Sequence, residues 1–291
     1  MKALVTGAGG FVGGHLVAHL RDHGDDVTAL DREVDVTDAA AITRAVDAQR
    51  PDAVYHLAAL SHVGDSWADP VEVFRVNAIG TLELLRACRA AGAQRILVVG
   101  TAEEYGAVDA MTITEDVPLR PHSPYAASKV AAEYLALQAF LGDGLPTLRV
   151  RAFNHTGPGQ SDRFLVPALS HRIMEAERDA RDEVLVGSLE PVRDLTDVRD
   201  VVRAYRLVVQ RGTPGEVYNV CSGRGLSVRE IAGRLIDLAS RPLHLRVDPG
   251  LVRPVDVPRL VGDPSKLATD TGWSPEVSLN QTFADVLADA R

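Results

Sequence analysis

The chain predicts a Rossmann-type α/β fold: a doubly wound, mostly parallel sheet joined to a smaller mixed α/β lobe. Three observations lead there. The amino-terminal half alternates short β-rich runs with longer helical patterns, and βαβα order builds a parallel sheet with helices on both faces. A glycine-rich turn, Gly7-Ala8-Gly9-Gly10-Phe11-Val12-Gly13, falls where the first β-rich run hands over to the first helical pattern. Beyond Phe153 the periodicity loosens and Pro and Gly become more frequent. That shift marks the second lobe.

Taken in order, strands are expected at residues 3–6, 27–30, 53–57, 95–99 and 147–152. The helices between them are expected at 11–23, 38–49, 70–91 and 124–141. Asp69-Pro70 reads as a helix start, with the aspartate as cap and the proline in the first turn, where a missing N–H costs nothing. In the second half, helices are expected at 165–177, 198–210 and 228–238, and strands at 184–186 and 216–220. Residues 1–160 are assigned mainly to the sheet domain and 161–291 mainly to the smaller lobe. The chain is expected to cross between them, with part of 180–220 returning to the first.

Composition narrows the function classes. At 291 residues, 46% hydrophobic and 24% charged, the chain has enough apolar content for one large α/β unit or two intimate subdomains. A net charge of -9 argues against a nucleic-acid partner, which a basic face would attract. Cys88 and Cys221 form no CxxC and no Cys/His cluster, so neither a disulfide framework nor a metal site is expected. No apolar run reaches the roughly 18 residues of a membrane span, and the chain runs straight into its first strand without a signal peptide. The expected location is the cytoplasm, away from membranes.

The glycine turn points to a dinucleotide. Gly7, Gly10 and Gly13, with Phe11 and Val12 between them, allow a tight turn and close backbone approach to a pyrophosphate at a helix amino terminus. A nucleoside-triphosphate loop would need GK followed by Ser or Thr; here Gly13 is followed by Gly14-His15. Asp31 closes the second strand, where a carboxylate bonds the adenosine ribose hydroxyls and disfavours a 2′-phosphate. Arg32 follows at once, and a guanidinium accommodates such a phosphate. NAD(H) or NADP(H) is therefore expected, leaning to NAD(H). Asp35 and Val36 are placed near the adenine, and Leu57-Ala58-Ala59 where backbone passes close to the coenzyme.

Downstream lies Tyr125-Ala126-Ala127-Ser128-Lys129. At i,i+4 the tyrosine and lysine rise from one face of a helix. A phenol with a pKa near ~10 is a poor acid–base group at neutral pH, and a fixed ammonium beside it is expected to favour the phenolate. Alone this pattern is common; after a coenzyme turn it suggests hydride chemistry at a carbonyl, where a proton and hydrogen bonds must meet the developing oxyanion.

Together these residues resemble the extended short-chain dehydrogenase/reductases of the NAD-dependent epimerase/dehydratase family. The matching elements are Gly7 to Gly13, His56-Leu57-Ala58-Ala59, Asn77 with Gly80-Thr81, Thr101-Ala102-Glu103-Glu104-Tyr105-Gly106, Tyr125 to Lys129, and Arg193-Asp194-Leu195-Thr196-Asp197-Val198. The resemblance implies a catalytic set of Thr101, Tyr125, Lys129 and Glu103, with Tyr125, Lys129 and Asn77 at the coenzyme and Thr101 and Glu103 also touching the sugar. It also separates the reactions of the family. Hexose 4,6-dehydratases usually carry an acid or hydroxyl at the position of Ala102, and a methyl group cannot protonate a leaving hydroxyl; Glu103 keeps a weaker case for dehydration.

Within the family, residues 151–160, 193–200 and 253–258 most resemble GDP-4-dehydro-6-deoxy-D-mannose reductases. That implies a nucleotide-sugar substrate already oxidised at C4, with Asn154, Arg193 and Arg253 as its contacts. The alternatives are a 4-epimerase with tightly bound NAD, a dehydratase, and a cofactor-binding protein without catalysis. His155 and His56 are read as positional and packing residues. Relatives pair the helices expected at 70–91 and 124–141, so a homodimer is implied.

Overall fold

Aliphatic and β-branched runs become central strands here because helices cover both of their faces. The computed structural model describes residues 1–252 and 257–290. Its strands are β1 (Lys2–Thr6), β2 (Asp26–Leu30), β3 (Ala53–His56), β4 (Arg95–Thr101), β5 (Thr147–Ala152), β6 (Asn154–Thr156), β7 (Glu183–Val186), β8 (Val192–Asp197), β9 (Val217–Val220), β10 (Gly225–Ser227), β11 (His244–Val247) and β12 (Arg259–Leu260). The helices are α1 (Phe11–Asp22), α2 (Ala39–Gln49), α3 (Val63–Ser66), α4 (Pro70–Phe74), α5 (Gly80–Ala91), α6 (Pro124–Asp143), α7 (Leu165–Arg178), α8 (Val198–Arg211), α9 (Val228–Ile236), α10 (Ser265–Thr271) and α11 (Leu279–Asp289).

The main sheet runs β2-β1-β3-β4-β5-β9, with every pairing parallel. Strand alternation divides its two cores. Val5, Tyr55, Leu97 and Val150 face α1 and α8, where Leu16, Leu20, Val201 and Val208 meet them. Leu4, Val54, Ile96 and Val98 face α2, α5 and α6. Strand order reverses between β1 and β3, and a crevice at such a switch point is where open α/β sheets take their ligands.

The remaining strands form β10-β8-β12, with β6 also on β8, and a β7–β11 pair. Ile173 of α7, Ile231 of α9 and Phe283 of α11 pack a separate core under them. Pairing of β6 with β8 sets Asn154 opposite Leu195. This joins the end of β5 to the second lobe.

Several elements depart from expectation. The helix expected over 70–91 is broken by a π-helical turn, Arg75–Ile79. The widened turn carries Asn77, whose amide bonds both backbone groups of Leu60 and the hydroxyl of Ser128. Such turns are frequent at functional sites. β4 runs on to Thr101 rather than stopping at 99, and β8, with the polar sequence VRDLTD, was not expected at all. Its inward Asp194 and Asp197 are buried but fully bonded, a pattern that hydrophobic periodicity does not register.

Candidate active site

Gly7, at φ +68°, ends β1, and a Cβ on it would lie 2.8 Å from Ala58 N. On Gly13 a Cβ would lie 2.1 Å from Gly7 O. Neither position tolerates a side chain. α1 starts at Phe11 with Gly10 as its cap and no side chain bonding its first N–H groups, which leaves those donors and the positive end of the helix for an anion. The cradle fits a pyrophosphate. Asp31 follows β2, and its Oδ2 would be 2.2 Å from a Cβ on Gly9, so its carboxylate overhangs the turn. Arg32 beside it is exposed.

The other residues expected at the coenzyme lie as follows. Asp35 Oδ1 accepts from Thr37 N and Thr37 Oγ1, both at 2.8 Å, and these bonds hold its carboxyl below the usual range. Val36 is buried, and a Cβ on Gly80 would be 2.7 Å from its Cγ2. The side chains of Asp35 and Val36 thus close the loop onto α5. Val12 and Leu57 pack against one sheet core and Ala58 against the other. Ala59 is half-buried.

A chain of hydrogen bonds fixes the crevice floor. Thr81 Oγ1 donates to Asn77 O at 2.6 Å, so the 2.9 Å contact with His56 Nε2 requires that nitrogen to carry the proton. Nδ1 then accepts from Thr6 Oγ1 at 2.8 Å, and Thr6 Oγ1 accepts from Ala58 N at 3.3 Å. Burial, followed by Lys129, pushes His56 down to about 3. It is a neutral strut across β1, β3 and α5.

On the facing side, Ser123 Oγ caps α6 by accepting from Ala126 N at 3.1 Å, with Pro124 in the first turn. Tyr125 and Lys129 follow one turn apart, 8% and 7% exposed. Thr101 stands at the end of β4, where its side chain bears on the Tyr125 phenol. Burial pushes the Tyr125 phenol above its ordinary value, with Glu104 and Glu103 adding to the shift and the Thr101 bond opposing it. Burial also lowers Lys129 to about 8, against the pull of Glu104. Desolvation dominates at Tyr125, and the phenol stands as a protonated donor.

Around this trio, Ala102 is buried at 1% exposure, and Glu103 Oε2 lies 3.8 Å from His122 Nε2. Asn154 is exposed on β6. Arg193 Nη1 donates to Val192 O at 2.9 Å and Val257 O at 2.7 Å, tying β8 to the chain before β12. Arg253 lies outside the described residues. His155 Nδ1 donates to Phe153 O at 2.9 Å, and its ring stacks on Phe11 at 6.3 Å. Burial lowers its pKa, so it is a positional residue.

Sequence reasoning missed Ser128, which receives the Asn77 amide and donates to Tyr125 O. It also missed Glu104, Glu133 and Arg151 behind the trio. A signal for Glu133 was present: it sits at i,i+4 from Lys129 on the buried face of α6.

Residues 32–286 match the family described as GDP-mannose 4,6 dehydratase. The chain is 35% identical to the GDP-6-deoxy-D-mannose reductase of Pseudomonas aeruginosa, covering 99% of this chain and 96% of that one. Among solved structures, RMD from Pseudomonas aeruginosa complexed with NADPH superposes with a TM-score of 0.92 at 34% identity, covering 100% of this chain and 99% of that one. The Thermus thermophilus UDP-glucose 4-epimerase complex with NAD gives a TM-score of 0.90 at 32% identity, with coverage of 100% and 99%.

Proposed function

Because this chain belongs to the GDP-mannose 4,6-dehydratase family, we propose that it is an NAD(P)H-dependent reductase of the C4 keto group of a nucleotide-linked 4-keto-6-deoxyhexose, similar to GDP-6-deoxy-D-mannose reductase. The observation that carries this reading is the buried Tyr125, held protonated by desolvation, with Thr101 at the end of β4 beside it. A ketone being reduced needs a proton donor and a second hydrogen bond at one oxygen. Ala102 offers no group to protonate a leaving hydroxyl, which argues against dehydration.

In this reading the bound nicotinamide coenzyme supplies the hydride. Gly7, Gly10, Gly13, Phe11 and Val12 hold its pyrophosphate, and Asp31 its adenosine ribose, with a preference for NADH. Lys129 and Asn77 border the nicotinamide end. Tyr125 gives its proton to the substrate oxygen, Thr101 steadies that oxygen, and Lys129 favours the charge left on the phenol. Glu103 and Asn154 contact the sugar; Arg193 and Arg253 lie toward the diphosphate, suited to it by their planar guanidinium groups.

The protein acts as a homodimer in the cytoplasm. Val71, Phe74, Ile79, Tyr134 and Leu141 expose apolar surface on α4, the π turn and α6, which pack beside one another. Both cysteines are free and buried, in keeping with a reducing compartment.

The test is steady-state oxidation of NADH and NADPH by the purified protein with GDP-, dTDP-, UDP- and CDP-linked 4-keto-6-deoxyhexoses. Reduction of one of them, with a 4-hydroxy product identified by NMR, supports the reading. Bound NAD+ that survives gel filtration, with sugar turnover requiring no added coenzyme, overturns it in favour of a 4-epimerase.

A further inference from the structure

Behind Thr101 lies a buried polar cluster that none of these roles uses. Glu104 sits on the short turn after β4 and is 0% exposed. Its Oε1 accepts from the Thr101 N–H at 2.8 Å, the return arm of a capping box in which Thr101 caps the same turn. Gly100 makes room for it: a Cβ there would lie 2.6 Å from Glu104 Oε1. The second oxygen, Oε2, is buried and meets no N–H or hydroxyl donor. Arg151 Nε is 3.8 Å away, beyond hydrogen-bond reach.

Arg151 is shared with a second carboxyl. Glu133 of α6, one turn past Lys129, receives Arg151 Nε at 2.8 Å and Nη2 at 2.6 Å, and Arg149 Nη1 at 3.2 Å. Glu104 and Glu133 thus flank one guanidinium in a buried site, and like charges so placed disfavour ionisation of both. The guanidinium groups stand on Glu133, so the proton belongs to Glu104. Burial and the Glu133 charge push Glu104 well above the usual carboxyl range; Glu133 is held below it by Arg151 although burial opposes this.

We propose that Glu104 is a positioning residue for the reduction, a neutral carboxylic acid that locks the Thr101 peptide through Oε1 and keeps Oε2 in the buried space beside Arg151 and Glu133. The Thr101 hydroxyl is thereby presented to Tyr125 from a fixed strand end. The inference rests on the reading that Thr101 and Tyr125 act on the substrate carbonyl. Neutrality matters as much as shape, because a charge on Glu104 acts on both Tyr125 and Lys129 and would hold the phenol proton more tightly. Those two and Glu133 face it from α6, and Arg149 and Arg151 from β5. Glu103 and Tyr105 share its turn, and Glu115 lies in the loop beyond.

The test compares wild type with Glu104→Gln and Glu104→Leu. Glu104→Leu should lower kcat about 10-fold or more, in line with a displaced reacting group, while KM and coenzyme Kd stay within about twofold. Glu104→Gln, which keeps the bond to the Thr101 N–H without charge, should recover kcat to within about threefold. A Glu104→Gln variant as impaired as Glu104→Leu, or a fully active Glu104→Leu, overturns the proposal. A second measurement needs no substrate. A carboxyl whose folded pKa is raised loses stability as pH rises above its unfolded value, so wild-type Tm should fall relative to Glu104→Gln as pH rises from about 4.5. A pH-independent difference overturns the proton assignment, whereas inactivity of the wild type toward every keto sugar defeats only the reductase reading.

Discussion

The carboxylate of Asp31 stands over Gly9, where a Cβ would come within 2.2 Å of Oδ2. One side chain after β2 thus borders the turn after β1, and negative charge is held where the coenzyme ribose is proposed to lie. Asp31→Ala should raise KM for NADH by about 10-fold or more, the value of a charge-assisted hydrogen bond, and raise kcat/KM for NADPH. Unchanged kcat/KM for both coenzymes would remove Asp31 from the site.

Gly13 has no room for a methyl group, since a Cβ would lie 2.1 Å from Gly7 O. Gly13→Ala should cost about 1–3 kcal/mol of stability through overpacking and abolish quenching of tryptophan fluorescence by NADH. Native coenzyme affinity in this variant would show that the turn does not hold the pyrophosphate.

Tyr125→Phe keeps the ring in its buried place and removes the hydroxyl beside Thr101. Coenzyme Kd should stay within about threefold while kcat/KM falls about 10²- to 10⁴-fold, the range for a lost general acid. Full turnover would disqualify Tyr125 as the proton donor.

Lys129, lowered to about 8 from its ordinary 10.5, links the site to pH. A lysine that binds its proton less tightly when folded penalises the native state below the folded pKa, and the penalty is relieved as pH rises from about 8 toward the unfolded value. Lys129→Met should therefore be more stable than wild type near neutral pH, with a Tm advantage that shrinks above about pH 8. In the same interval wild-type kcat/KM should decline as the ammonium is lost. A Tm difference independent of pH would show that Lys129 is not a strained cation.

Val71 and Leu141 are 76% and 72% exposed on helices that pack side by side. Val71→Glu with Leu141→Glu should halve the mass seen by light scattering at micromolar concentration while leaving the far-UV spectrum unchanged. A wild type already monomeric would refute the dimer.

Local chemistry was the legible part of this site. The glycine turn could be read because Gly7 and Gly13 exclude side chains within one strand–helix junction, and Tyr125 with Lys129 because a helix places i and i+4 on one face. β8 could not be read this way. Its buried aspartates are paid for by partners such as Ser222 and Thr282, distant in sequence, so its pattern looks like surface. The π turn at Asn77 escaped for the same reason, since its partners are Leu60 and Ser128.

The sequence by itself determined the doubly wound fold, the glycine turn after β1 and the placing of Tyr125 and Lys129 on one helix face, because each follows from periodicity or from contacts a few residues apart. Only the tertiary structure decided the protonation of the site. Desolvation depends on which chains close over a residue, and it sets the direction at both Tyr125 and Lys129. It also brought Glu104 against Glu133, where burial and two arginines from β5 determine which carboxyl keeps the proton. Charge states are set by the packed interior, and no spacing along the chain encodes them.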